Sequence, residues 1–210
     1  MLIVGAKGFA KEVLEVCHQN NELKDLAFYD DVNDEVKGLL FDKFPILKTP
    51  EQVKEYFSKY GPNFTIGIGD PHLREKMSDK FIALGGKLSS TISHRAQIGS
   101  YDVHIGDGCN VLCNSTISNS VTIGKGGLIY YHCIIAHDVT LGDFVQIAPR
   151  TTLLGRIKVG SYTNIGANAI ILPDLTVGSN VVIGAGAIVT KDLPDNTVVV
   201  GIPARIIKQR

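Results

Sequence analysis

From Ile105 to Val189 every sixth residue of this chain is aliphatic, through Val111, Ile117, Ile123, Ile129, Ile135, Leu141, Ile147, Leu153, Val159, Ile165, Ile171, Val177 and Ile183. A helix cannot use that pattern, because at 3.6 residues per turn a period of six does not keep an apolar stripe on one face. A short fixed period predicts a solenoid, whose repeats bury their apolar faces only by stacking on one another. One aliphatic per hexad points inward, and the fifth place, mostly small or β-branched as in Cys109, Val121, Thr151, Thr163 and Ala187, shares the interior. The second place is often glycine, as in Gly106, Gly124, Gly142, Gly160, Gly166, Gly178 and Gly184, and is expected to let the chain turn a corner. Three hexads close one coil, so the run makes five coils. An earlier partial coil passes through Ile92 and Ile98, with one residue inserted around Asp102 and Val103.

The chain before the coils reads differently. Leu2–Val4 is a short buried strand, followed by the loop Gly5-Ala6-Lys7-Gly8-Phe9-Ala10 and a helical pattern through Val13, Leu14, Val16 and Cys17. Such a loop presents backbone N–H groups at a helix N-terminus, where hydrogen bonds and the helix dipole both favour a phosphate, although it reads G-x-x-G-x-A rather than G-x-G-x-x-G. A second strand, Leu26–Tyr29, ends in Asp30-Asp31, where a mononucleotide-binding βαβ unit places a carboxylate for a sugar or base. Thr49-Pro50-Glu51-Gln52 carries the cap, proline and capping-box signals of a helix start. A third strand, Phe64–Gly69, leads to the cap-and-proline start Asp70-Pro71. That helix has one apolar face of Leu73, Met77, Phe81 and Leu84 and stops at Gly85-Gly86. Strands alternating with helices predict a small parallel sheet of Rossmann type over residues 1–86, with the coils and a C-terminal tail over 87–210.

With 21 basic and 21 acidic residues the formal net charge is zero, so there is no extended positive field for nucleic acid or an anionic membrane. Small ligands are the expected partners. The opening apolar run, Met1 to Ala6, is too short for a signal segment or a membrane span, which implies a cytoplasmic protein. Cys17, Cys109, Cys113 and Cys133 show no C-x-x-C spacing and read as reduced cysteines, Cys109 and Cys133 being inward.

Among the histidines, only His132 and His137 lie in the middle of the solenoid. His137 occupies a corner place, the third of its hexad, and is followed by Asp138, a carboxylate able to fix the imidazole tautomer. One coil of eighteen residues further on is Gly155, again a third-place residue, whose N–H would lie below the imidazole. A lone solenoid histidine is otherwise an ordinary structural residue, and Asp30-Asp31 an ordinary strand-end turn.

The hexads resemble the left-handed parallel β-helix of the hexapeptide-repeat acyltransferases, typically trimers that bind acyl-CoA between neighbouring subunits. The resemblance narrows to the sugar acetyltransferases related to the bacillosamine N-acetyltransferase and the sialic acid O-acetyltransferase family. It covers essentially the whole chain, through Gly5-Ala6-Lys7-Gly8-Phe9, Tyr29-Asp30-Asp31, Ile68-Gly69-Asp70, His137-Asp138, Leu141-Gly142-Asp143-Phe144 and Val200-Gly201-Ile202-Pro203-Ala204-Arg205. It implies an α/β domain followed by an all-β left-handed solenoid, and transfer of acetyl from acetyl-CoA to the amine of a nucleotide-linked amino sugar. His137 would be the base, tuned by Asp138. Lys7, Gly8, Phe9, Asp30, Asp31 and Gly69 would face the nucleotide sugar, and Gly155, Ala167 and Ala185 would offer backbone contacts to acetyl-CoA. Gln146, where many relatives carry a CoA-contacting histidine, joins that set. Tyr130 and Tyr131 are either acceptor-pocket or rim residues. No metal is expected, and the assembly implied is a homotrimer.

Three alternatives stay open on the residues. An O-acetyltransferase acting on sialic acid or a related sugar fits the same motifs. A γ-carbonic-anhydrase-like zinc hydratase shares the solenoid and the spacing of His132 and His137, but needs a third imidazole. A non-catalytic solenoid that only binds a nucleotide sugar would leave His137 incidental.

Overall fold

The computed structural model describes residues 1–210 and divides into two compact units, Met1–Thr91 and Ile92–Arg210. The first is a six-stranded sheet in the order β3-β4-β2-β1-β5-β6, where β1 is Leu2–Val4, β2 Ala27–Tyr29, β3 Leu39–Leu40, β4 Phe44–Leu47, β5 Asn63–Ile66 and β6 Lys87–Leu88. All neighbours run parallel except β3 and β4. Helices α1 (Gly8–Gln19), α2 (Pro50–Tyr60) and α3 (Pro71–Ala83) connect the parallel strands. The sequence reading saw three of these strands; β3, β4 and β6 are short and lack a clear alternation. Because β6 pairs with β5, the unit runs on to Thr91 instead of stopping at Gly86.

The helix starts follow from their caps. Thr49 and Gln52 form the reciprocal capping box of α2, and Asp70 Oδ1 accepts from Leu73 N at 2.8 Å to open α3. Helix α1 starts at Lys7 with no side-chain cap, and Ala10 N donates to the Lys7 carbonyl at 2.8 Å. Two glycines set the close approach of α1 to the sheet. A Cβ on Gly67 would lie 2.6 Å from Ala10 Cβ, and Gly5, at φ +104, passes against the Gly67 carbonyl.

The apolar spacing of α3 predicts one buried face, and the structure buries that face only in part. Phe81 is buried, but so are Arg74 and Ser78, while Leu73 is 40% exposed and Met77 only partly buried. Leu73 and Met77 line a cavity, while Phe81 is in the core and Met77 and Leu84 pack against it, so the apolar stripe passes from a cavity wall into the core.

The second unit is a left-handed parallel β-helix. Two-residue strands stack in three parallel sheets, and from His104 to Val189 each strand pairs with the one eighteen residues on. One face carries Leu128–Ile129, Gln146–Ile147 and Asn164–Ile165, the second Ile134–Ile135 and Thr152–Leu153, and the third Thr140–Leu141 and Lys158–Val159. First-place aliphatics and fifth-place residues fill one continuous core, with Ile129, Cys133, Ile135, Val145, Ile147, Leu153 and Ile165 fully buried. Thr197–Val200 closes the last coil and pairs antiparallel with Arg205–Gln209.

The second-place glycines do not make the corners. The positive φ of each corner falls on the fourth place of the hexad, on Gly108, Gly126 and Gly186 and otherwise on non-glycine residues such as Asn114, His132, Asp138, Arg156 and Asp174. The second-place glycines instead admit the next coil. A Cβ on Gly142 would lie 2.6 Å from Ser161 N, and one on Gly160 2.5 Å from Ser179 N.

Candidate functional site

Two groups of side chains stand out, one in each unit. In the first, the ends of β1, β2 and β5 meet α1 and α3 around a cavity of about 600 Å³. Lys7, Gly8, Phe9, Asp30, Asp31 and Gly69, all singled out from sequence, line it. Their roles differ. Asp30 is 6% exposed, and its carboxylate accepts from Val32 N, Asn33 N and Asn33 Nδ2 at 2.9–3.2 Å, so it builds the turn at the cavity rim. Asp31 is more open and is held by Lys80 Nζ at 2.9 Å and Tyr29 OH at 2.7 Å. Lys7 Nζ pairs with Glu35. The buried Arg74 donates to the Gly69 carbonyl and fixes that loop. The sequence does not single out Asn33 and Lys80, which line the cavity, or Arg74, which is buried behind it, because nothing in the local pattern marks those side chains as turned inward.

In the second unit His137 and Asp138 project from one corner of the solenoid, with Nδ1 of His137 2.6 Å from Asp138 Oδ2. This contact leaves Nε2 for another partner. The register stacks Gly155 under His137: a Cβ there would lie 2.7 Å from Cε1 and 2.8 Å from Nε2 of the imidazole. Only glycine leaves the ring where it stands. The backbone is tied by Arg156 N donating to the His137 carbonyl at 3.0 Å, and Arg156 is itself paired in two contacts with Asp174, one coil further on.

The other solenoid residues lie elsewhere. Ala167 and Ala185 are third-place residues following the face that holds Asn164–Ile165 and Val182–Ile183, one corner away from His137. Gln146 sits on the same face, pairing with Leu128 and Asn164. Tyr130, Tyr131 and His132 belong to that neighbouring corner as well. A single chain therefore brings together His137, Asp138 and Gly155, and does not bring Gln146, Ala167 and Ala185 to them. In the Leu141-Gly142-Asp143-Phe144 motif, Asp143 Oδ1 accepts from Lys125 N at 2.8 Å and Phe144 stacks on Tyr162 at 6.0 Å, both structural roles.

Three of the four thiols are buried and poor nucleophiles, and Cys113 is half-buried. Cys109 and Cys133 are fully buried, and burial pushes the Cys133 thiol up to about 11. The spacing of His132 and His137 suggested a zinc site, but the two occupy different corners, and no three His, Cys, Asp or Glu side chains gather to hold a metal ion.

Residues 1–81 match the family described as PglD N-terminal domain, and residues 156–191 match bacterial transferase hexapeptide (six repeats). No curated protein matches the chain. Among solved structures, WeeI from Acinetobacter baumannii AYE is 32% identical, with 98% of each chain covered and a TM-score of 0.86. The acetyltransferase domain of PglB from Neisseria gonorrhoeae FA1090 is 28% identical, with 98% of each chain covered and a TM-score of 0.88. The perosamine N-acetyltransferase from Caulobacter crescentus, solved with CoA and GDP-perosamine, is 26% identical, covering 99% of this chain and 96% of that one at a TM-score of 0.91. That structure is of a histidine-to-asparagine mutant.

Proposed function

The chain belongs to the hexapeptide-repeat sugar acetyltransferases, and on that premise we propose that it moves an acetyl group from acetyl-CoA to the amine of a nucleotide-linked amino sugar. The observation that carries the mechanism is the corner where Asp138 holds Nδ1 of His137 and Gly155 clears the space beside Nε2. Nε2 accepts a proton from the sugar nitrogen as that nitrogen attacks the thioester carbonyl. The carbon–sulfur bond then breaks, and the proton passes to the departing thiolate. The Gly155 N–H supplies the oxyanion donor. No acyl-enzyme is needed: Cys109 and Cys133 are buried, and the half-buried Cys113 follows Asn110–Val111, at a different corner from His137.

The cavity of the first unit takes the nucleotide. The uncapped first turn of α1, opening at Lys7 and Gly8, suits the diphosphate, and Asp31 is the carboxylate that faces the ligand. Acetyl-CoA and nucleotide sugars as substrates fit work in the cytoplasm. A homotrimer accounts for the separation of the acetyl-CoA residues: a second copy could set its Gln146, Ala167 and Ala185 corner against the His137 corner of the first. Light scattering should then give three times the chain mass, and a monomer would reject the shared site.

The direct test is incubation of purified protein with acetyl-CoA and a panel of nucleotide-linked 4-amino and 3-amino sugars. Free CoA and an acetamido product should form in equal amounts. Binding of the nucleotide sugar without any thiol release would favour the non-catalytic reading, and an ester in place of an amide would favour O-acetylation.

A further inference from the structure

The solenoid corner that carries His137 is a column of stacked residues whose register is fixed by hydrogen bonds. Each fourth-place amide donates to the third-place carbonyl one coil back: Ser120 N to Tyr101 O, Asp138 N to Asn119 O, Arg156 N to His137 O and Asp174 N to Gly155 O, at 3.0–3.3 Å. Tyr101, Asn119, His137 and Gly155 therefore follow one another along the solenoid, about 4.8 Å apart. Gly155, one coil C-terminal of the base, marks the side on which the thioester oxygen meets its donor. The acyl donor occupies that side, which leaves the N-terminal side, at Asn119, for the attacking amine.

The Asn119 side chain is set for such a ligand. Its Oδ1 accepts from Tyr101 N at 3.1 Å. A backbone N–H can meet only the oxygen of that amide, so the contact fixes its orientation and leaves both Nδ2 protons to donate elsewhere. The corner itself needs only the oxygen. At other corners the same third-place amide is held by a carboxylate: Asp143 Oδ1 accepts from Lys125 N at 2.8 Å, and Asp195 Oδ1 from Ser179 N at 2.7 Å. Next to the base the chain carries an amide in that role, which adds a donor. Asn119 is exposed and borders an open cavity of about 530 Å³, with Gln97, Thr116 and Ser118 on its walls. No side chain lining this cavity is charged. A neutral wall of amides and hydroxyls suits the hydroxyls of a sugar and offers nothing to a phosphate.

We infer that Asn119 binds the acceptor sugar, its Nδ2 donating to a sugar hydroxyl and so presenting the amine to Nε2 of His137. This rests on the acetyl-transfer reading given above. The loss of one neutral hydrogen bond should weaken use of the acceptor by roughly three- to tenfold.

The test is steady-state kinetics of the wild type, Asn119→Asp and Asn119→Ala at saturating acetyl-CoA, with whichever nucleotide-linked 4-amino or 3-amino sugar the wild type acetylates best. Calorimetric binding of acetyl-CoA and thermal unfolding are measured on each protein. Asn119→Asp keeps an oxygen for Tyr101 N and loses the donor, so it should unfold at the wild-type temperature and bind acetyl-CoA normally. Its kcat/KM for the nucleotide sugar should nevertheless fall about three- to tenfold, and that of Asn119→Ala at least as much. A wild-type kcat/KM in Asn119→Asp would overturn the inference, because a residue that only ties the corner is replaced by a carboxylate without loss. Acetyl-CoA binding weakened to the same extent would overturn it too. If the wild type releases CoA with no amino sugar, the acetyl-transfer reading falls and the inference with it.

Discussion

Gly155→Ala separates catalysis from folding at a single carbon. The new Cβ would stand 2.7 Å from His137 Cε1 and 2.8 Å from Nε2, whereas ordinary contact begins at 3.4 Å, so the imidazole has to retreat by about 0.7 Å. The ring can do so cheaply, because His137 is exposed and Gly155 does not need a positive φ that alanine would resist. Stability should therefore change by no more than about 0.5 kcal/mol, as for an ordinary surface substitution. Misplacing a base by nearly 1 Å costs up to roughly 10²-fold, so kcat should fall about ten- to a hundredfold with the melting temperature almost unchanged. Gly142→Ala is the control: there the Cβ meets the Ser161 backbone, which cannot yield, so it should lose about 1–3 kcal/mol of stability while kcat per folded molecule holds. The assay is initial-rate thioester release alongside thermal unfolding. A Gly155→Ala protein with wild-type kcat would refute the placement of the imidazole over Gly155 as a catalytic requirement.

Direct transfer predicts that a Cys113→Ala protein, which lacks the one solenoid thiol that is not fully buried, keeps wild-type kcat per folded molecule and that acetyl-CoA alone leaves no acetylated cysteine, checked by peptide mass spectrometry; one trapped acetyl-cysteine would reject it. Asp31 should shape stability on the acid side. Its carboxyl is held below the ordinary value, so its contribution is complete above about pH 4 and disappears as pH falls through the lower native value. Asp31→Asn should therefore flatten the fall of melting temperature below pH 4, and superimposable acid limbs for the two proteins would contradict the pairing with Lys80.

The solenoid was legible because its period is set by geometry that every coil repeats. The inward first and fifth places could be assigned from Ile129, Cys133 and Ile135 alone. The corner mechanism was not, since a glycine in sequence looks the same whether it supplies a positive φ or a close approach. Gly142 does the second, while Asp138 and Arg156 adopt the turn conformation without glycine. His137, Asp138 and Gly155 were recoverable by adding eighteen. In the first domain the glycine loop and Asp30-Asp31 carried the site, but a sequence does not say which carboxylate is spent on its own turn, and Asn33 spends Asp30. The amphipathic spacing of α3 runs from the cavity wall at Leu73 to the core at Phe81, and a wall facing a cavity has the same period as one facing a core. Lys80 sits one turn past Met77 on that wall and reads as a solvated lysine until Asp31 and Tyr29 are placed beside it.

The central claim is that His137 is the base for direct acetyl transfer, and the measurement that bears on it most directly is the steady-state kcat of His137→Ala with acetyl-CoA and the preferred nucleotide-linked amino sugar. General-base catalysis contributes roughly 10²–10⁴-fold, so kcat should drop by that factor while oligomeric state and the binding of both substrates stay at wild-type values, with Asp138→Asn losing less. A His137→Ala enzyme that turns over at a near-normal rate would contradict the account.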